Sequence, residues 1–311
     1  MKHFIILTIL FLSTLINSCD TITGKKDTDK NPTQQAAIAL VSNQINSSSP
    51  TSVSTINFNV VSGNTNVSCA GTLSGTIAGT TGATLNDLRF YVHDVKLIST
   101  DGTKSDFLIT TDGKWQLGAG SNSFGSYSGV ALLDFEDATN GCSGGTTETN
   151  KSIIGTSAVG NYVGVEFKIG VPFYLNHLST STATSPLNNI AMYWAWNSGY
   201  KFAKIEFTAT SKNQFHLGSG SCSGNTTGPI NECGLPNRPT ISLTKATGFN
   251  ATRDVITLDL NALFSGSDAS STGINICMTG NATTACQPII SNIGIVPSTG
   301  ATTTQSAFSI R

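Results

Sequence analysis

The sequence predicts an all-β chain, a two-sheet antiparallel sandwich with long loops and disulfides, and three observations predict it. Gly, Ser, Thr and Asn abound while Glu, Lys and Leu are sparse, a composition that disfavours helices. Short runs alternating apolar and polar residues recur at sandwich spacing, separated by Gly, Asn, Asp and Pro. Of seven cysteines, one belongs to the N-terminal signal, which leaves an even set of the kind an oxidising compartment pairs.

The chain opens with Lys2 and His3, runs through the apolar stretch Phe4 to Leu12, and reaches Ile16, Asn17, Ser18 and Cys19. A membrane span needs about 20 apolar residues, so this stretch reads as a cleaved export signal over residues 1–18. A cysteine after a small residue at that point resembles the bacterial lipoprotein signal, which implies a lipid on Cys19 and a place in the cell envelope, periplasmic or at the cell surface. Residues 19–54 carry Lys25, Lys26, Asp27, Asp29, Lys30 and a Ser47–Ser49 run before Pro50, with no sustained apolar period. They are expected to form a flexible tether.

The main domain is expected over residues 55–265. Ile56, Phe58 and Val60 alternate with polar residues as a half-buried strand requires. Further strands are expected at 72–78, 87–99, 106–110, 129–135, 161–170, 201–210 and 254–261, packed as two face-to-face sheets. Residues 266–311 are either late strands or an irregular wrap. Cys222 with Cys233 and Cys277 with Cys286 would each close a short polar loop, leaving Cys69 with Cys142 as the long-range staple, although six cysteines allow many other pairings. No C-x-x-C pair supports a zinc site.

Only 11% of residues are charged and the net charge is −1, which supplies no basic field for nucleic acid or for an anionic membrane surface. The membrane is expected to be met through the lipid alone. No G-x-S-x-G, H-E-x-x-H or Walker lysine occurs, so no enzyme activity is expected.

Four segments stand above this background. In Phe90 to Val95 the period of a strand puts Tyr91, His93, Val95 and Leu97 on one face. In Ile169 to His177 a strand ends at Pro172 and a histidine follows in a loop. Met192 to Phe202 holds Trp194 and Trp196, two of the three tryptophans, on one face if extended. Phe215 to Cys222 places His216 shortly before a cysteine. Beyond His3 the chain has only His93, His177 and His216. Imidazole suits copper, zinc and iron, with copper favoured by intrinsic affinity. The low methionine content, three residues including Met1, argues against a methionine-rich cuprous site.

Phe90 to Leu97, Leu132 to Glu136 with Asn140-Gly141, Tyr162 to Phe167, Gly170-Val171-Pro172 through Asn176-His177, Met192 through Phe202, and Phe215 to Ser219 with Cys222 together resemble the MbnP-like family over roughly residues 55–265. The resemblance implies an extracytoplasmic copper-binding protein paired with a di-haem cytochrome c peroxidase-like partner that oxidises a tryptophan to kynurenine. It makes His177 and His216 the first copper ligands, His93 the third, and Trp194 or Trp196 the oxidised residue. Asp94 and Asp134 match family acidic positions, where pairing with Lys96 or Arg89 competes with metal binding. The alternative is a surface adhesin or carbohydrate-binding lipoprotein in which Trp194, Trp196 and Tyr200 stack on a ligand. Copper would need two of the histidines brought close together and would be held less tightly as pH falls through ~6.5.

Overall fold

The computed structural model describes residues 50–195, 197–223, 233–269, 276–278 and 283–311. Cys19, Trp196, the proposed signal and most of the proposed tether therefore lie outside the described residues. The last part of that tether, Thr51–Ser54, is already strand.

Two sheets pack face to face. The smaller is built on the first strand, Thr51–Ser62, which pairs antiparallel with Ser152–Ala158 and parallel with Val255–Asp259. Phe308–Ile310 closes one edge and Leu108–Ile109 the other. The larger is built on Thr84–Ser99, with Lys212–Leu217 pairing antiparallel to Ala203–Thr208 and parallel to Ile276–Met278. Both sheets are thus mixed rather than purely antiparallel. Each parallel pair joins strands far apart in sequence, with room for the crossover that parallel pairing demands.

Between the sheets, Phe58 meets Phe90 and Phe167 at 6.4 and 5.5 Å between ring centroids, and Phe308 meets the same two rings at 6.1 and 5.7 Å. The C-terminal segment after residue 265 therefore supplies a core aromatic, one strand to each sheet, and the short helix Gln287–Asn292, which buries Ile289 and Ile290. Three disulfides join Cys69 to Cys142, Cys222 to Cys233 and Cys277 to Cys286, with Cα separations of 5.7, 4.1 and 5.6 Å.

Residues 72–78, expected as a strand, form only isolated bridges at Thr72 and Ile77. Gly75 and Ala78 there have positive φ, which breaks the extended path. The run expected at 106–110 is two short pieces, Lys104–Asp106 and Leu108–Ile109, parted at Phe107, whose N–H donates to the Val95 carbonyl.

One departure from simple alternation positions the site. Asp94 sits at φ +52, where His93 and Lys96 pair with Lys168 and Glu166. Three steps on one strand oppose two on the other, a bulge that reverses the alternation. His93 therefore shares a face with Tyr91, while Val95 and Leu97 join the opposite face with Phe90 and Val92, contrary to the period-two expectation.

The central strand is also split along one edge. Arg89 pairs with Lys204 on that edge and Asp134 on the other, while His93 pairs with Lys168 and Val130. At Tyr91 the edge passes from one neighbour to the next: its N–H donates to the Phe202 carbonyl, and its own carbonyl accepts from Gly170. The chain from 170 to 202 leaves and returns at this split and folds back over the outer face of the sheet. It is held there by Tyr91, whose hydroxyl donates to the Pro186 carbonyl, and by Tyr200, whose hydroxyl reaches the Leu187 and Leu178 carbonyls.

Candidate metal centre

The excursion from 170 to 202 carries His177 and Trp194, and the sheet beneath carries His216. Asn176 is fully buried and fixes the first of these. Its side-chain oxygen accepts from the Tyr200 N–H at 3.1 Å, which commits its amide nitrogen to donate. That nitrogen lies 3.1 Å from His177 Nε2, so Nε2 is the unprotonated nitrogen, and a metal there would take the lone pair that now accepts from the Asn176 amide.

His216 is held by its neighbours in the sheet. Its Nε2 donates to Glu206 at 2.8 Å, with both side chains buried, which leaves Nδ1 as the unprotonated nitrogen of the neutral ring. Burial lowers the His216 pKa, against the pull of Glu206, and so favours that neutral ring. Burial alone would raise Glu206, but hydrogen bonds from His216 and Lys212, with the charge of Lys204, hold it well below the usual carboxylate range. A carboxylate that orients an imidazole through its second nitrogen is the usual support of a metal ligand.

Trp194 packs against the second of these. Its ring centroid is 6.3 Å from that of His216, and it lies over Gly218, where an added Cβ would come within 2.4 Å of Cζ3. Only glycine admits the indole so closely. We expect Gly218→Ala to push Trp194 off this wall, seen as a changed tryptophan emission spectrum with secondary structure retained.

Trp194, Ser198, Ser219, Cys222 and Met278 are among the residues lining one cavity of about 450 Å³. Each histidine stands one contact behind this lining. His216 backs onto Trp194, and His177 Nε2 is 3.8 Å from Cys233, the disulfide partner of Cys222. The ligand atoms of His177, Cys222 and Cys233 lie within 4.8 Å of one another. Their sulfurs are bonded to each other, so this cluster offers one imidazole and no thiolate. The cavity wall itself offers an indole, a thioether and hydroxyls, and an imidazole behind each of two wall residues would complete a donor set of the kind that suits copper.

The chain's remaining expected residues fall elsewhere. His93 is four residues along the central strand from Arg89, which pairs with Lys204, itself paired with His216. Sheet spacing puts His93 roughly 16 Å from His216, too far to share an ion. Its Nδ1 meets Ser128 at 3.4 Å. Burial, with Arg238 and Lys168 nearby, pushes its pKa down to about 3. The unfolded ring binds a proton near 6.5, so stability is lost as pH falls through that value toward 3. We expect His93→Leu to lose a few kcal/mol less than the parent between pH 7 and pH 4, read from urea midpoints. Asp94 serves ion pairing, with Lys168 at 2.7 Å and Lys96 at 3.5 Å, while Asp134 is buried near Arg89 and accepts from the Glu136 N–H.

A family model, MbnP, matches residues 50–279, most of the chain and all of this site. The chain belongs to the MbnP family. A solved structure, MbnP from Methylosinus trichosporium, has the same fold, with a TM-score of 0.66 over 84% of this chain and 98% of that one, at 24% identity. A comparison with curated proteins gives no match. Among the described residues of this MbnP family member, no helix is long and apolar enough to cross a membrane.

Glu206 and Met278 were absent from the expected site. Glu206 has no local motif to mark it, since its role depends on the pairing of two adjacent strands. Met278 depends on a parallel pairing between segments some sixty residues apart.

Proposed function

We propose that this protein holds copper outside the cytoplasm through His177 and His216, and that it captures or delivers the metal without catalysis of its own. Trp194, once oxidised to kynurenine by a di-haem cytochrome c peroxidase-like partner, adds a donor on the same wall. A lipid on Cys19 tethers the domain to the envelope. The observation that carries the reading is the Glu206–His216 pair behind Trp194: a buried imidazole, oriented by a carboxylate, against an indole on the wall of a cavity. An adhesin would instead present Trp194 on an open face, whereas its ring is half-buried against Gly218 and His216.

The test is intact-mass spectrometry with metal analysis on protein purified from its native envelope. One copper per chain, with the mass of a kynurenine mapped to the Trp194–Trp196 segment and a diacyl group on Cys19, is the expected result. Unmodified tryptophan with no copper taken up on reconstitution would overturn the reading.

A further inference from the structure

We propose that Met278 is a thioether donor at this copper site and biases it toward the cuprous ion. The inference rests on the copper reading above and adds a ligand and an oxidation state to it.

Three placements converge on Met278. The strand Ile276–Met278 runs parallel to Lys212–Leu217, and Met278 lies directly opposite His216. Neighbouring strands are about 4.8 Å apart, and residues directly opposite point to the same face. Cys277 confirms the orientation: it is paired with Phe215, 1% exposed in the core and bonded to Cys286. Alternation therefore sends Met278 to the other face, where His216, Glu206 and the excursion lie. Met278 is half-buried and lines the cavity together with Trp194. The disulfide at Cys277 ties this short edge strand down one residue from the thioether.

The chemistry follows from the donor. A thioether is soft and polarisable and selects cuprous over cupric copper, while imidazole serves either. It carries no proton to lose, so it adds affinity without adding proton competition. Methionine content is low in this chain, but placement decides the matter: Met192 is buried in the core, and Met278 alone among the described methionines reaches the cavity.

The test uses the mature protein and the metal alone. Cuprous affinity is measured anaerobically by competition with a chromophoric chelator, and cupric affinity likewise, for the parent and for Met278→Leu, a volume-conserving change that the fold tolerates. Copper-edge X-ray absorption is recorded on selenomethionine-labelled protein, in which selenium is distinguished from the disulfide sulfurs. We expect a copper–selenium scatterer that is lost in Met278→Leu, a cuprous affinity lower by about tenfold or more, and a cupric affinity changed by less than about threefold. Absence of selenium scattering from copper-loaded parent, or an unchanged cuprous affinity in the variant, overturns the proposal and leaves the copper reading standing. Parent protein that takes up no copper overturns both.

Discussion

Replacing Arg89 with methionine is expected to cost about 3–5 kcal/mol of unfolding free energy, because it leaves the buried Glu136 carboxylate without its cation and Asp87 with one cation in place of two. Arg89 is 1% exposed. Its Nε donates to Asp87 Oδ1 at 2.9 Å, a second nitrogen bonds the other Asp87 oxygen, and Nη1 faces Glu136 at 3.6 Å. Lys204 also bonds Asp87 at 2.6 Å, so Asp87 keeps a partner in the variant while Glu136 loses Arg89. Water cannot enter freely to compensate. The loop after Glu136 lies so close that a Cβ on Gly145 would fall 1.4 Å from the carboxylate, and the Cys69–Cys142 bond ties that loop down. Arg89→Lys should lose less, since it keeps the charge but not the planar fork that grips Asp87 with two nitrogens. Equal losses for methionine and lysine would mean that the fork's geometry, rather than the charge, supports the cluster.

The same cluster sets a pH dependence of unusual sign. Burial pushes Asp134 up to about 7, against the pull of Arg89, with Glu136 adding to the rise. The native carboxyl then holds its proton where the unfolded one, near 3.8, has released it. Native protein binds more protons between those values, so this group's contribution to stability falls as pH rises from about 4 to 7. Asp134→Asn should flatten that slope, since its oxygen can still accept from the Glu136 N–H as Asp134 does at 3.1 Å. The check is a series of thermal midpoints from pH 5 to pH 8, in which the variant gains on the parent toward the alkaline end.

Several parts of this architecture were legible in the residues. Ile56, Phe58 and Val60 marked the first strand because one face of it meets the core, and the cysteine loops closed as their short spacings suggested. The strand Ser152–Ala158 escaped notice, since Gly155 interrupts a run of small residues and Ile154 faces solvent. Thr240–Phe249 is hard to read because the alternation of Ile241 and Leu243 lapses through the mostly polar run that follows and resumes only at Phe249. The placement of His93 went astray for a local reason, a single residue at positive φ that no periodicity count detects. His177, Trp194 and His216 stood out as candidates because each sits in a patterned segment. What brings two of those segments together, the split edge at Tyr91, is a property of pairing and leaves no mark in either segment.

Copper binding should respond far more strongly to His216 than to His93, and the contrast tests the geometry directly. His216→Asn removes a nitrogen that Glu206 aims, and we expect copper affinity to fall by about 100-fold or more, measured by chelator competition. Glu206→Gln should lose about tenfold, because the amide still accepts a hydrogen bond but no longer supports the ring with a charge. The double variant should be no worse than His216→Asn alone, since Glu206 acts on the metal only through that imidazole. Additive losses would show that Glu206 reaches the metal itself. His93→Leu should leave affinity unchanged within about threefold, because sheet geometry keeps it roughly 16 Å away and the fold, not the metal, responds to its protonation. A large loss there would mean that the metal sits on the Arg238 side of the sheet, and would return His93 to the ligand set at the expense of His216.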